Sequence, residues 1–155
     1  MSIIDDKLIR KASHLAAPSV KAILKDPSCV WGPKFVSYVI IHDEIYYVDC
    51  FGKNTDWNPE WGSGPEFFME VARKKAELAH RTRKSTGEVV ALSPWELQPG
   101  DYTYPGGAYQ DGIAIGVSGV ESTADELIAK ILLACIVALA KLKTEKMIEE
   151  ENCKV

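Results

Sequence analysis

Along the first 25 residues Leu8, Ile9, Ala12, Leu15, Ala16, Ile23 and Leu24 recur near helical spacing, which predicts an amphipathic helix over 5–25 with Asp5 or Asp6 capping its start. Pro18 is expected to divide it into two pieces, because proline has no amide to donate. Asp26-Pro27 ends it, since the residue before a proline is driven out of the helical region. Two runs rich in β-branched and aromatic residues follow, 35–41 and 45–51, and the polar triplet His42-Asp43-Glu44 between them has the length of a short hairpin loop. Residues 52–65 mix Gly, Pro, Asn and Asp with Trp57 and Trp61, the composition of an ordered surface loop placed to act as a lid. Helical spacing returns over 66–81. Phe67, Phe68, Val71, Ala72, Leu78 and Ala79 fall on one side and Arg73, Lys74, Lys75 and Glu77 largely on the other, so this helix should lie on a sheet.

Ser93-Pro94-Trp95-Glu96 has an N-cap followed by proline at the first helical position, the signature of a brief helical turn that Pro99-Gly100 then stops. Strands are predicted over 104–109 and 113–118, joined at Gln110-Asp111-Gly112, where the Asp-Gly pair supplies the positive φ of a tight hairpin. A last helix opens at Ser122 or Thr123 with Asp125 and Glu126 in its first turn, where the helix dipole favours anions, and runs to about Met147. Residues 148–155 are left as a tail expected to be mobile. Strand neighbours are joined by short turns and by no crossover helix, so the chain reads as α+β: an antiparallel sheet flanked by helices, one domain over 1–155 with its core at 35–147 and no internal repeat.

With 155 residues, 46% of them apolar and 26% charged, the chain is long enough for one core and too apolar for disorder. A net charge of -4 has the wrong sign for broad capture of a phosphate backbone, so no nucleic-acid partner is expected. The opening Met1-Ser2-Ile3-Ile4-Asp5-Asp6 lacks the basic and apolar regions of a signal peptide, and a cytoplasmic location is the expectation. The apolar run 131–140 is half the roughly 20 residues a membrane span requires, so no membrane partner is expected either. Cys29, Cys50, Cys135 and Cys153 form no Cys-x-x-Cys pair and read as free thiols, with no metal site.

Three segments carry a family resemblance. Gly106-Gly107, Asp111-Gly112, Ile115-Gly116-Val117-Ser118-Gly119, Asp125 and Ala129 occur in the order and near the spacing of the GlcG/HbpS-like family, often labelled a haem-degrading domain and similar to the C-terminal domain of PduO-type corrinoid adenosyltransferases. Ala72-Arg73-Lys74-Lys75-Ala76 resembles the family's A-x-x-K-A helix, and residues 36–51 its first hairpin. The chain departs from the family at His42-Asp43-Glu44, where a glycine-containing turn is usual, and in the shorter hairpin between Gly107 and Gly116. The resemblance implies a profilin-like sheet flanked by helices, assembly into homo-oligomers, and haem or a corrinoid as ligand.

Candidate chemistry gathers in the same segments. The turn from Gly116 through Ser118 and Gly119 leads to a helix start whose amides can cradle a carboxylate or phosphate; the plainer reading of its glycines is close packing of strand on helix. Tyr102 and Tyr104 before Gly106 and Gly107 offer flat faces and hydroxyls to a planar ligand, or else a subunit contact. These glycines are read together as a rim of exposed main chain around a guest held between copies of the chain. His14, on the opening helix beside Ala12, Leu15 and Ala16, is the candidate haem-iron ligand, while His42 and His80 read as surface residues. Arg73, Lys74, Lys75, Arg81, Arg83 and Lys84 form a basic cluster suited to a ligand's acid groups, and Lys75 occupies the family lysine. No nucleophile elbow or marked cysteine is present, and Asp49, Asp101, Asp111 and Glu121 are available for acid–base work. Three functions remain open: a homo-oligomeric small-molecule-binding protein, a metal-independent enzyme acting on a small organic acid, and an assembly protein using Trp57, Trp61 and Trp95 with the last helix.

Overall fold

Two hairpins build the sheet. The computed structural model describes residues 3–29, 34–52 and 65–153. β1 (Phe35–His42) and β2 (Ile45–Gly52) pair antiparallel around the turn Asp43-Glu44, with Asp43 at a φ of 50°, a conformation Asp tolerates better than most residues. β3 (Gly107–Gln110) and β4 (Ile113–Ser118) pair around Asp111-Gly112, whose φ values of 50° and 87° are those of a type I′ turn. β1 then pairs antiparallel with β4, giving the order β2-β1-β4-β3. The expected start of β3 at Tyr104 moves to Gly107: Pro105 has no amide to give to a ladder, and Gly106 turns at a φ of 144°.

Helices cover both faces. On one lie α1 (Asp6–Lys25) and α4 (Ser122–Cys153), which bury Leu8, Ile9, Ala12, Val20, Ile128, Leu132 and Ile136 against Val36, Tyr38, Ile40, Ile115 and Val117. Asp5 caps α1 by accepting the Leu8 amide at 2.8 Å. Pro18 does not divide the helix as expected. It sits on the exposed side, where water can take the carbonyl that loses its partner. α4 continues to Cys153, beyond the predicted end near Met147.

On the other face α2 (Pro65–Thr82) lays Ala72, Ala76 and Ala79 on Val39, Ile41 and Ala114. A short α3 (Thr86–Leu92) follows, absent from the sequence reading although Ser85 and Glu88 stand at capping-box spacing; the Ser85 hydroxyl accepts the Glu88 amide at 3.2 Å. Pro94–Glu96 forms the predicted turn, as a 3-10 helix. The protein is thus an α+β domain with a four-stranded antiparallel sheet between α1/α4 and α2. Residues 53–64 of the predicted lid, with Trp57 and Trp61, lie outside the described residues, and its ends at Gly52 and Pro65 belong to β2 and α2. No helix among the described residues is long and apolar enough to cross a membrane.

Candidate functional site

α2 approaches the sheet closely because two strand positions beneath it, Gly107 and Gly116, carry no side chain. Gly107 and Gly116 are register partners, and a Cβ on Gly116 would stand 2.0 Å from the Ala72 carbonyl oxygen. One on Gly107 would stand 2.5 Å from Thr86 Oγ1 and 2.9 Å from the Lys75 carbonyl oxygen. Gly106, Gly107, Gly116 and Gly119 are all buried, so the expected rim of exposed main chain is not there. Gly107 and Gly116 seat helix on strand, Gly119 lies against Phe35 and Val36 of β1, and the Gly106 carbonyl is itself taken by the Val117 amide at 2.9 Å.

The seating lets one long side chain reach the end of the sheet. Val71 and Lys75 are one turn apart on α2, so the lysine lies in line with the apolar residues that precede it. Its Nζ donates to the Val117 carbonyl at 2.9 Å and to Asp125 Oδ2 at 3.3 Å, and both side chains are almost wholly buried, at 2% and 3% exposure. Gly106 makes room for it: a Cβ there would meet Nζ at 2.6 Å. Burial pushes the Lys75 amine down from its ordinary range and the Asp125 carboxyl up, to about 7, and the attraction between the two opposes both shifts. Asp125 Oδ1 accepts the Val120 amide at 3.2 Å. The helix start predicted to cradle a ligand's anion is thus occupied in part by the protein's own carboxylate.

A cleft of about 210 Å³ opens above this pair. Phe67, Phe68 and Val71 of α2 form one wall, Tyr102 and Tyr104 a second, and Ser118, Gly119, Val120 and Ser122 the third. The rings meet edge to face or tilted, Phe67 to Tyr102 at 6.5 Å and Tyr102 to Tyr104 at 6.1 Å between centroids. Tyr104 is 62% exposed, so a flat face is open to solvent. The structure therefore brings together Lys75, Tyr102, Tyr104, Ser118 and Gly119 from the candidate residues. Gly106 lies beneath them, and Gly107 and Gly116 under α2.

His14 is not part of this site. It projects to solvent from α1, a helix on the face of the sheet opposite α2. His42 donates from Nδ1 to the Gly112 carbonyl at 3.1 Å and ties the two hairpin turns together. The basic cluster is largely neutralised from within: Arg73 pairs with Glu70 and Glu77, Arg81 with Asp101 at 2.6 Å, and Lys84 with Glu96 at 2.6 Å. Glu70 and Glu77 hold the Arg73 guanidinium charged more firmly than usual. No cluster of His, Cys, Asp and Glu suited to a metal ion occurs among the described residues.

Fold and site together define an α+β domain, a four-stranded antiparallel sheet between helices, with an aromatic cleft above a buried lysine–carboxylate pair. The chain is similar to the crystal structure of the Klebsiella pneumoniae protein ORFY, described by the family model DUF336, at 18% sequence identity over 83% of this chain and 89% of that one, with a TM-score of 0.53. It is similar also to PduOC, solved as a haem complex, at 18% identity over 81% and 91% of the two chains and a TM-score of 0.52. No family model and no curated protein matches the chain.

Proposed function

We propose that the chain is a homo-oligomeric small-molecule-binding protein whose ligand, planar or anionic, lies in the cleft between α2 and the turn that opens α4. The observation that carries this reading is the Lys75–Asp125 pair set beneath an aromatic wall. A buried ion pair is weak evidence of stability, since well-packed apolar residues commonly do as well, and its position at the floor of a cleft speaks for a ligand instead. The cleft's volume of about 210 Å³ is below the roughly 300–1,000 Å³ of ordinary ligand pockets. A ligand as broad as a tetrapyrrole would rest one face on Tyr102 and Tyr104 and take its other cover from a second copy.

Haem is the tetrapyrrole to test first, because PduOC was solved with it, and a corrinoid the second. The aromatic faces suit a ring plane. Iron ligation is a different matter: no imidazole lines the cleft among the described residues, so the Tyr102 and Tyr104 phenols are the side chains that would face iron, and His14, on the opposite face of the sheet, would not. Titration with haemin is expected to give a shifted, saturable Soret band that Tyr104→Ala weakens and His14→Ala leaves in place. A spectrum of free haemin throughout would overturn haem as the ligand, and light scattering from a monomer would overturn closure by a second copy.

A metal-independent enzyme acting on a small organic acid is the second reading, favoured by the amine and carboxyl at the cleft floor. Trp95 and Leu92, 79% and 70% exposed, favour an assembly role as the third.

A further inference from the structure

We infer that Lys75 is a carbonyl-capturing amine: the cleft admits a small aromatic aldehyde or ketone and holds it as an imine on Nζ, with Asp125 handling the proton. The inference rests on the cleft being a ligand site and adds the chemical class that site would take.

Three observations lead to it. The chain places a glycine at a φ of 144° where a Cβ would stand 2.6 Å both from Nζ and from the Val117 carbonyl oxygen that Nζ donates to, so the backbone at Gly106 leaves room for the amine and its acceptor together. Nζ has two acceptors, Val117 O and Asp125 Oδ2, against three donors in its charged form. And the pair, though almost wholly buried, lines the cleft beside Phe67, Tyr102 and Tyr104, faces suited to an aromatic ring. Burial favours the neutral, nucleophilic amine and the protonated carboxyl, the two forms the chemistry requires.

The step balances without a further reactant. The Nζ lone pair attacks the carbonyl carbon, forming a C–N bond while the carbonyl oxygen takes a proton from Asp125, and the nitrogen returns one to the carboxylate. The resulting hydroxyl takes a second proton from Asp125 and leaves as water. Loss of the remaining N–H proton to the carboxylate gives the neutral C=N bond.

Wild-type protein is treated with benzaldehyde and sodium cyanoborohydride, digested, and mapped by mass spectrometry. One benzyl group is expected at Lys75, saturating at one per chain and formed about tenfold or more faster than at exposed lysines. Asp125→Asn is expected to slow that adduct about tenfold or more without altering the exposed lysines. Benzylation confined to exposed lysines overturns the inference, and the wild-type map decides this whether or not the variant folds, which circular dichroism reports. Benzyl alcohol, which has the ring but no carbonyl, is titrated alongside by NMR of the cleft tyrosines. Its binding without capture at Lys75 overturns the imine and leaves the cleft as a ligand site; neither binding nor capture overturns both.

Discussion

Lys75 and Asp125 hold each other in place across 50 residues of sequence, and each alone would be a buried charge without compensation. Lys75→Met or Asp125→Asn is expected to lower the unfolding free energy by about 3–5 kcal/mol, and the double variant by less than either single one, measured by urea denaturation. The pH dependence follows from Asp125, raised from 3.8 to about 7 by burial. Between these values the folded chain keeps a proton that the unfolded chain has lost, so the carboxyl's contribution to stability is present below about 4 and disappears as the pH rises through about 7. Lys75, shifted down, acts in the other sense: its amine penalises folding below its lowered value and ceases to do so as the pH approaches 10.5. The stability of wild type relative to Asp125→Asn is therefore expected to fall from pH 4 to pH 7.

The contact of α2 with the sheet depends on absent side chains. Gly116→Ala places a methyl 2.0 Å from a helix carbonyl and is expected to destabilise by about 3 kcal/mol, whereas Gly87→Ala, in α3 with only Glu126 Oε1 at 3.7 Å, is expected to stabilise by about 0.5–1 kcal/mol; thermal unfolding of both variants tests the contrast. The hairpins were legible because their signals are local: two β-rich runs, and Asp111-Gly112 with both φ values positive. Pro18 misled because its effect depends on which side of α1 it occupies. α3 was missed for want of an apolar period in seven residues, although Ser85-x-x-Glu88 marks its start. Whether Gly116 faces a ligand or a helix was open from sequence, since both uses require the same missing Cβ.

The site was legible in part. Lys75, Tyr102, Tyr104, Ser118 and Gly119 carried a signal in sequence and meet in the cleft; Phe67, Phe68 and Val71 appeared only as helix core, though their spacing to Lys75 puts all four near one face. Asp125 appeared as a first-turn acid and as part of the family resemblance, without a role in the site, because its pairing with Lys75 is a tertiary fact. α4, at 32 residues about 48 Å long, outruns strands of eight residues at most, and residues 144–151 are exposed. Deleting residues 147–153 is expected to change the unfolding free energy by less than about 0.5 kcal/mol, with the urea midpoint as the check.

The union of β1 with β4, which sets Ile41 beside Ala114, governs how the molecule comes into being. Each hairpin can zip by itself in roughly 1–10 μs, but their marriage awaits a distant encounter, with α2 carried in the intervening stretch. The described lining of the cavity is drawn wholly from residues 67–125, so the first hairpin braces the receptacle from behind without supplying any of its surface.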